Sequence, residues 1–217
     1  MPLIEFAASD GTRLEGRLTT PTDPQGGVAV VCHPHPRFGG SMDSWMVPVL
    51  QRTLVTDGWV GLRFNFRGVG GSGGSHGGGE PELLDVGAAV DRVREEGAGP
   101  LLLVGWSFGA LVSLRYAADD EQVAGWVGVG LTAAPSASDP EGAGLDREPL
   151  GRFDRPKLFI HGTRDEFTSV EEIERVVAAA AEPRRLHLVP GGDHFLAAHG
   201  DVLSEQVRAF GRELRGH

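Results

Sequence analysis

The sequence predicts a single α/β domain spanning residues 1–217, in which helices cover both faces of a mostly parallel sheet. Short apolar, β-branched runs alternate with helical patterns, as expected of successive strand and helix units. The runs at residues 27–33 and 101–105 are continuously apolar, which is typical of strands buried on both faces. A length of 217 residues suits one domain with a substantial core.

The predicted elements follow in order along the chain. An opening hairpin turns at Asp10-Gly11, and strands are predicted at residues 4–8, 13–20, 27–33, 59–66, 101–105, 123–130, 157–161 and 185–189. Helices are predicted at residues 42–57, 81–97 and 107–118, after the capping box Ser169-x-x-Glu172, and along the apolar stripe of Leu203, Val207, Phe210 and Leu214. The stretch between Gly130 and Pro156 is too short for a lid domain, so we expect an open site under a loop or one short helix.

Composition excludes several classes of partner. The formal net charge of −10 repels phosphate backbones, so nucleic acid is not an expected partner. No apolar run approaches the roughly 20 residues that cross a bilayer, and residues 1–11 lack the pattern of a signal peptide. The single cysteine, Cys32, excludes an internal disulfide and fits a reducing cytosol. We therefore expect a cytoplasmic protein with no membrane partner.

Gly105-Trp106-Ser107-Phe108-Gly109 matches the G-x-S-x-G pattern of a nucleophile elbow. With 33 glycines in the chain the pattern alone decides nothing, and it recurs around Ser72 and Ser75. An elbow needs a strand that leads into a strained turn and then a helix, so that the serine oxygen stands above the sheet. Of these three serines, Ser107 alone has an apolar run before it and a helical pattern after it. Ser107 is the predicted nucleophile, and a purely structural turn is the alternative.

A serine hydroxyl needs a neighbouring base, usually a histidine that a carboxylate orients. After an elbow of this kind the chain order is serine, acid, histidine. His194 is the predicted base because it lies in a glycine loop after the last strand, whereas His161 and His187 fall within strand patterns. Asp165 is the predicted acid. Glu166 is the alternative, since one residue of turn geometry decides which carboxylate faces the imidazole.

The segment Cys32-His33-Pro34-His35-Pro36-Arg37 follows the third strand and is expected to supply one of two main-chain N–H groups for an oxyanion hole. Phe108, the residue after the nucleophile, supplies the other. Because proline has no N–H, His35 or Arg37 must donate, and His35 is favoured. A metal site at His33-x-His35 lacks a clear third ligand beyond Asp43, and a cysteine that ends a buried strand usually packs rather than reacts. No metal or other cofactor is expected.

These residues resemble the α/β-hydrolase superfamily of serine hydrolases over nearly the whole chain. Residues 65–72, Asn-Phe-Arg-Gly-Val-Gly-Gly-Ser, are similar to its R-G-x-G-x-S segment, in which Arg67 is expected to be structural. The H-P-H-P-x-x-G-G start of the oxyanion loop is similar to that of small, cap-less bacterial members, whose relatives include esterases and dienelactone-hydrolase-like enzymes. The resemblance implies a sheet of about eight strands with the second antiparallel, and the Ser107–His194–Asp165 triad. One departure is Ser44, where the pattern has asparagine after Met42-Asp43.

The sequence predicts a carboxylesterase. Its expected substrates are small-molecule esters with small or exposed acyl groups, which it would cleave through an acyl-enzyme. A peptidase, thioesterase or lactonase would use the same residues, and a non-catalytic binding protein on the same fold is a further alternative. The glycine-rich stretch at residues 68–79 is interpreted as a flexible surface turn rather than a ligand cradle. Five aromatic side chains are candidates either for walls of a substrate pocket or for core packing: Phe38, Trp45, Trp106, Phe167 and Phe195.

Overall fold

The computed structural model describes residues 3–133 and 145–216. The strands within these residues are β1 (Leu3–Ala7), β2 (Arg13–Thr19), β3 (Gly27–Cys32), β4 (Trp59–Phe64), β5 (Leu101–Trp106), β6 (Val123–Val129), β7 (Lys157–Gly162) and β8 (Arg184–Val189). The α-helices are α1 (Met46–Thr56), α2 (Glu82–Arg94), α3 (Phe108–Asp119), α4 (Glu148–Arg152), α5 (Val170–Ala179) and α6 (Gly200–Arg215), and a 3₁₀ helix covers Pro36–Phe38.

The strands form one sheet in the order β1-β2-β4-β3-β5-β6-β7-β8. Strand β2 is antiparallel to both of its neighbours, and the strands from β4 to β8 pair in parallel. The predicted α/β class, the strand number and the antiparallel second strand are therefore confirmed.

Helices cover both faces of the sheet because successive strand side chains point to opposite faces. In β3, Val28 and Val30 pack on the face that carries α2, α3 and α5, whereas Ala29 and Val31 pack on the face that carries α1 and α6. The central strands β3, β4 and β5 are buried almost throughout, which explains their continuous apolar runs in the sequence.

Two regions show how far the boundaries could be predicted. Helix α1 begins at Met46 rather than at residue 42, because Ser41 and Ser44 form a turn in which Ser41 N–H donates to Ser44 Oγ (3.0 Å) and Ser44 N–H donates to the Ser41 carbonyl (3.0 Å). In the stretch expected to lack a lid, the described residues contain the short helix α4. Residues 134–144 of that stretch lie outside the described residues.

The parallel strands bring the functional loops to one edge of the sheet. Cys32 pairs with Gly105, Trp106 with Val129, and Gly162 with Val189, so these strands end nearly level with one another. Ligands of open α/β sheets bind beyond such carboxyl ends. Within residues 3–133 and 145–216, no helix combines the length and apolar character that crossing a membrane requires.

Candidate active site

Ser107 occupies a strained turn between β5 and α3. Its φ of 54° and ψ of −117° are unusual for a residue with a side chain, and such strain persists only where the surroundings enforce it. The Ser107 N–H donates to the Val129 carbonyl of the neighbouring strand (2.9 Å), which ties the turn to the sheet edge. The observed strand, turn and helix are the context that the elbow requires.

The two glycines of the elbow allow close approach of the backbone. A Cβ at Gly105 would stand 2.4 Å from the nitrogen of Ala110, and a Cβ at Gly109 would stand 2.4 Å from the carbonyl oxygen of Cys32. Both distances are far inside van der Waals contact, so α3 can begin this close to β3 and β5 only with glycine at both positions.

The other two serines in G-x-S-x-G patterns have different environments. Ser72 is buried, and its hydroxyl donates to the Asn65 carbonyl (2.7 Å) and accepts from the Glu15 N–H (3.1 Å). Ser75 is exposed in the glycine-rich loop. Neither lies at the carboxyl end of a strand that leads into a helix.

Asp165 and His194 form a hydrogen-bonded pair, with 2.8 Å between His194 Nδ1 and Asp165 Oδ2. The other Asp165 oxygen accepts the main-chain N–H groups of Phe167 (2.8 Å) and Thr168 (3.2 Å), which fixes the carboxylate. Burial by itself raises the pKa of Asp165, but the hydrogen bond and charge of His194 and the Phe167 N–H outweigh it and hold the pKa below its usual value. Glu166 contacts the main-chain N–H of His194 instead (3.3 Å). Of the two candidate acids, Asp165 is the one that meets the imidazole.

The His194 ring lies beside the strand end that holds Ser107. A Cβ at Gly130 would be 3.3 Å from both Nδ1 and Cε1 of the ring, and Gly130 directly follows Val129, the acceptor of the Ser107 N–H. Within the described part of the chain the Ser107 hydroxyl makes no hydrogen bond to the ring. Such bonds are often long in unliganded enzymes and tighten when substrate binds.

The two predicted oxyanion donors belong to residues in contact. Phe108 is the first residue of α3, so its N–H has no acceptor within the helix. The rings of His35 and Phe108 pack with 4.9 Å between their centroids. Arg37 was the alternative to His35 as an oxyanion donor. Its main-chain N–H donates to His35 Nδ1 (3.2 Å), so that N–H is already engaged in a hydrogen bond.

His33 holds the base of the oxyanion loop. Its Nε2 accepts the Phe66 N–H (3.1 Å), and its Nδ1 contacts the Pro34 carbonyl (2.6 Å), which places the proton on Nδ1. Burial lowers the pKa of His33 to about 4, so the ring is neutral near pH 7. Since main-chain groups occupy both ring nitrogens, His33 is not placed as a metal ligand. Cys32 is wholly buried, and burial raises the pKa of its thiol, which disfavours the reactive thiolate.

Two residues that sequence reasoning missed, Asn65 and His161, support the site. Asn65 Oδ1 accepts the Met42 N–H (2.7 Å), which helps hold the loop in which Ser44 replaces the expected asparagine. His161, interpreted as a plain strand residue, places Nδ1 3.8 Å from Asp165 Oδ2 and donates from Nε2 to the Thr168 carbonyl (2.8 Å). Arg67, in contrast, has the structural role expected of it, in ion pairs with Asp85 and Asp10.

The predicted pocket aromatics separate into two groups. Phe38, Phe167 and Phe195 are 59%, 43% and 48% exposed around the site. Trp106 is almost fully buried and packs with the core on the α1 and α6 face, where Trp45 joins it half-buried. The exposed rings are therefore available to a ligand, whereas Trp106 is mainly a core residue.

A family model described as an alpha/beta hydrolase domain matches residues 37–206. The chain belongs to the α/β-hydrolase family. The uncharacterized protein RP471 of Rickettsia prowazekii is 29% identical, over 97% of this chain and 88% of its own length. A solved putative α/β-hydrolase of Agrobacterium tumefaciens, ATU1826, superimposes on this hydrolase with a TM-score of 0.87 at 26% identity, over 100% and 98% of the two chains. The lidless serine hydrolase XC6422 of Xanthomonas campestris does so with a TM-score of 0.82 at 28% identity, over 98% and 94%.

Proposed function

We propose that this hydrolase is a carboxylesterase in which Ser107 is the nucleophile, His194 the general base and Asp165 the acid that orients it. The observation that carries the proposal is the hydrogen bond between buried Asp165 and His194 (2.8 Å), beside the strained turn of Ser107. The similarity to a serine hydrolase without a lid supports the same chemistry.

The reaction proceeds in two acyl-transfer steps. His194 Nε2 takes the proton of the Ser107 hydroxyl as the oxygen attacks the ester carbonyl, and Asp165 stabilises the imidazolium that forms. The main-chain N–H groups of Phe108 and His35 bind the oxyanion, and each donor of this kind lowers the barrier by about 3 kcal/mol. His194 then protonates the leaving alcohol. Water attacks the acyl-enzyme in the same way and releases the acid.

The surroundings of His194 favour an apolar leaving group. The rings of Phe167 and Phe195 lie 4.6 and 5.7 Å from the imidazole, centroid to centroid, and both are exposed. The alcohol that receives the proton from His194 must leave past these rings. We therefore expect esters of aromatic or other apolar alcohols with small acyl groups to be the better substrates.

A fluorophosphonate probe tests the nucleophile, because the probe reacts with an activated serine and peptide mapping identifies that serine. We expect labelling at Ser107 and hydrolysis of 4-nitrophenyl acetate, both lost in Ser107→Ala. Ser75→Ala is the matched control, since Ser75 has the same flanking pattern and is exposed. Labelling that persists in Ser107→Ala would refute the assignment. Labelling of Ser107 without turnover of any ester would support an activated serine but refute the proposed esterase activity.

A further inference from the structure

The glycine-rich segment at residues 68–79 is fixed to the body of the domain. The N–H groups of Gly77 and Gly79 donate to the carboxylate of Glu82 (2.8 and 2.7 Å). Glu82 is the first residue of α2 and is wholly buried, in a position where a carboxylate is favoured by the helix N-terminus. In the first half of the segment, the Gly73 N–H donates to the carbonyl of Arg13 in β2 (2.7 Å). The segment is thus hydrogen-bonded in both halves, unlike a free surface turn, and it carries His76.

His76 lies against the two residues assigned to the oxyanion hole. The centroid of its ring is 4.8 Å from that of His35 and 5.2 Å from that of Phe108. Its Nδ1 is 2.9 Å from Glu82 Oε1, although the angle is outside that of a hydrogen bond. The His194 ring packs against a separate set of side chains, namely Trp106, Phe167 and Phe195.

These two sets of ring contacts define two sides of the site. In the proposed reaction, the leaving alcohol lies on the side of His194, which protonates it. The carbonyl oxygen lies between the N–H groups of Phe108 and His35. The acyl substituent is the part that remains, and we assign it to the side away from His194, where His76 lies.

We infer that His76 forms a subsite for a hydroxyl group on the acyl portion of the substrate, an inference that rests on the proposed function. The Nδ1 edge of the ring is buried against Glu82, and the side chain is 15% exposed. Among the described residues, Nε2 at the other edge has no hydrogen-bond partner. A hydroxyl both donates and accepts, so it can pair with Nε2 in either protonation state of the ring. A carboxylate would need the charged ring, and an ammonium group the neutral one.

The test compares 4-nitrophenyl 3-hydroxybutyrate with 4-nitrophenyl butyrate, two esters that differ by one hydroxyl. The measured quantity is the ratio of their kcat/KM values in the wild-type protein, His76→Phe and His76→Gln. A control variant, His187→Phe, changes a half-buried histidine on β8, away from the ring contacts of the site. Labelling of Ser107 by the fluorophosphonate probe is measured in all four proteins.

We expect the ratio to fall roughly five-fold in His76→Phe, which is the effect of losing one ordinary net hydrogen bond. His76→Gln retains part of the preference because its amide donates and accepts, and His187→Phe keeps the wild-type ratio. Equal ratios in the wild type and His76→Phe, with Ser107 labelled in both, would overturn the subsite while the proposed function stands. Failure of the probe to label wild-type Ser107 would overturn the proposed function, and the subsite with it.

Discussion

Acidification should destabilise this protein through His33, a buried imidazole at the end of β3. The folded ring is neutral because burial lowers the pKa of His33 from its ordinary value of 6.5 to about 4. The unfolded chain exposes the ring and binds a proton below about pH 6.5. Protons therefore favour the unfolded chain between these two values, and stability present at pH 7 is lost as the pH falls toward 4.

The size of this effect follows from the difference between the pKa values of His33 in the unfolded and folded chain. Each pH unit over which the unfolded chain holds one more proton than the folded protein costs about 1.4 kcal/mol of unfolding free energy. From pH 6.5 down to pH 5 the folded ring stays almost unprotonated, so the loss attributable to His33 is about 2 kcal/mol. This is a large part of the stability of a typical domain.

Urea unfolding at pH 7 and pH 5 measures the loss in the wild-type protein and in His33→Gln. Glutamine does not titrate and can still accept the Phe66 N–H, so the variant should lose about 2 kcal/mol less than the wild type between the two pH values. The comparison concerns the change with pH, because the substitution also alters packing. His187→Gln, which removes a half-buried histidine of β8, should keep the wild-type dependence. An equal pH dependence in His33→Gln would refute the reasoning.

Three further predictions concern the acid, the elbow and the Arg67 ion pair. Asp165→Asn should lower kcat for 4-nitrophenyl acetate by about 10⁴-fold through loss of imidazole orientation; a loss below ten-fold would point to another acid. Gly109→Ala should lower the unfolding free energy in urea by about 3 kcal/mol, since its Cβ meets the Cys32 carbonyl at 2.4 Å, and an unchanged stability would contradict that contact. Arg67→Ala should cost about 3–5 kcal/mol by leaving the buried Asp85 carboxylate unpaired. The double variant with Asp85→Ala should recover part of it, and no recovery would contradict the pairing.

The fold was predictable because its signals are local and repeated. Continuous apolar runs marked the strands buried on both faces, and the capping box at Ser169 is present as predicted, with both of its reciprocal hydrogen bonds. Element boundaries were less accurate where side chains form turns of their own. At Ser41 and Ser44 two hydrogen bonds delay the start of α1, and nothing in the apolar pattern indicates them.

Only those features of the candidate site that follow from chain order and from the positions of strand ends could be predicted from the sequence. Serine, acid and histidine follow strands β5, β7 and β8, so the sequence could place them at one edge. It left Asp165 and Glu166 both open, because the choice depends on how the turn after β7 directs two adjacent side chains. His76 was missed for a related reason: glycine-rich segments carry no periodicity, and the buried Glu82 that anchors this one lies beyond it in α2.

Glycine is so abundant in this chain that the G-x-S-x-G pattern is not informative by itself. At the site, however, close contacts explain why particular positions are glycine. At Gly105 and Gly109 a side chain would meet backbone atoms at 2.4 Å, so the elbow depends on glycine for packing. At Gly130, a Cβ would stand 3.3 Å from the His194 ring, close enough to displace the imidazole slightly. The G-x-S-x-G pattern therefore indicates a nucleophile elbow only where the surrounding backbone leaves no room for a side chain at the two glycines. Around Ser75, which is exposed, a Cβ at Gly73 would make only ordinary contact with the Arg13 carbonyl (3.6 Å), and a Cβ at Gly77 would meet the side chain of Pro81 (2.4 Å) rather than the backbone of a neighbouring strand or helix.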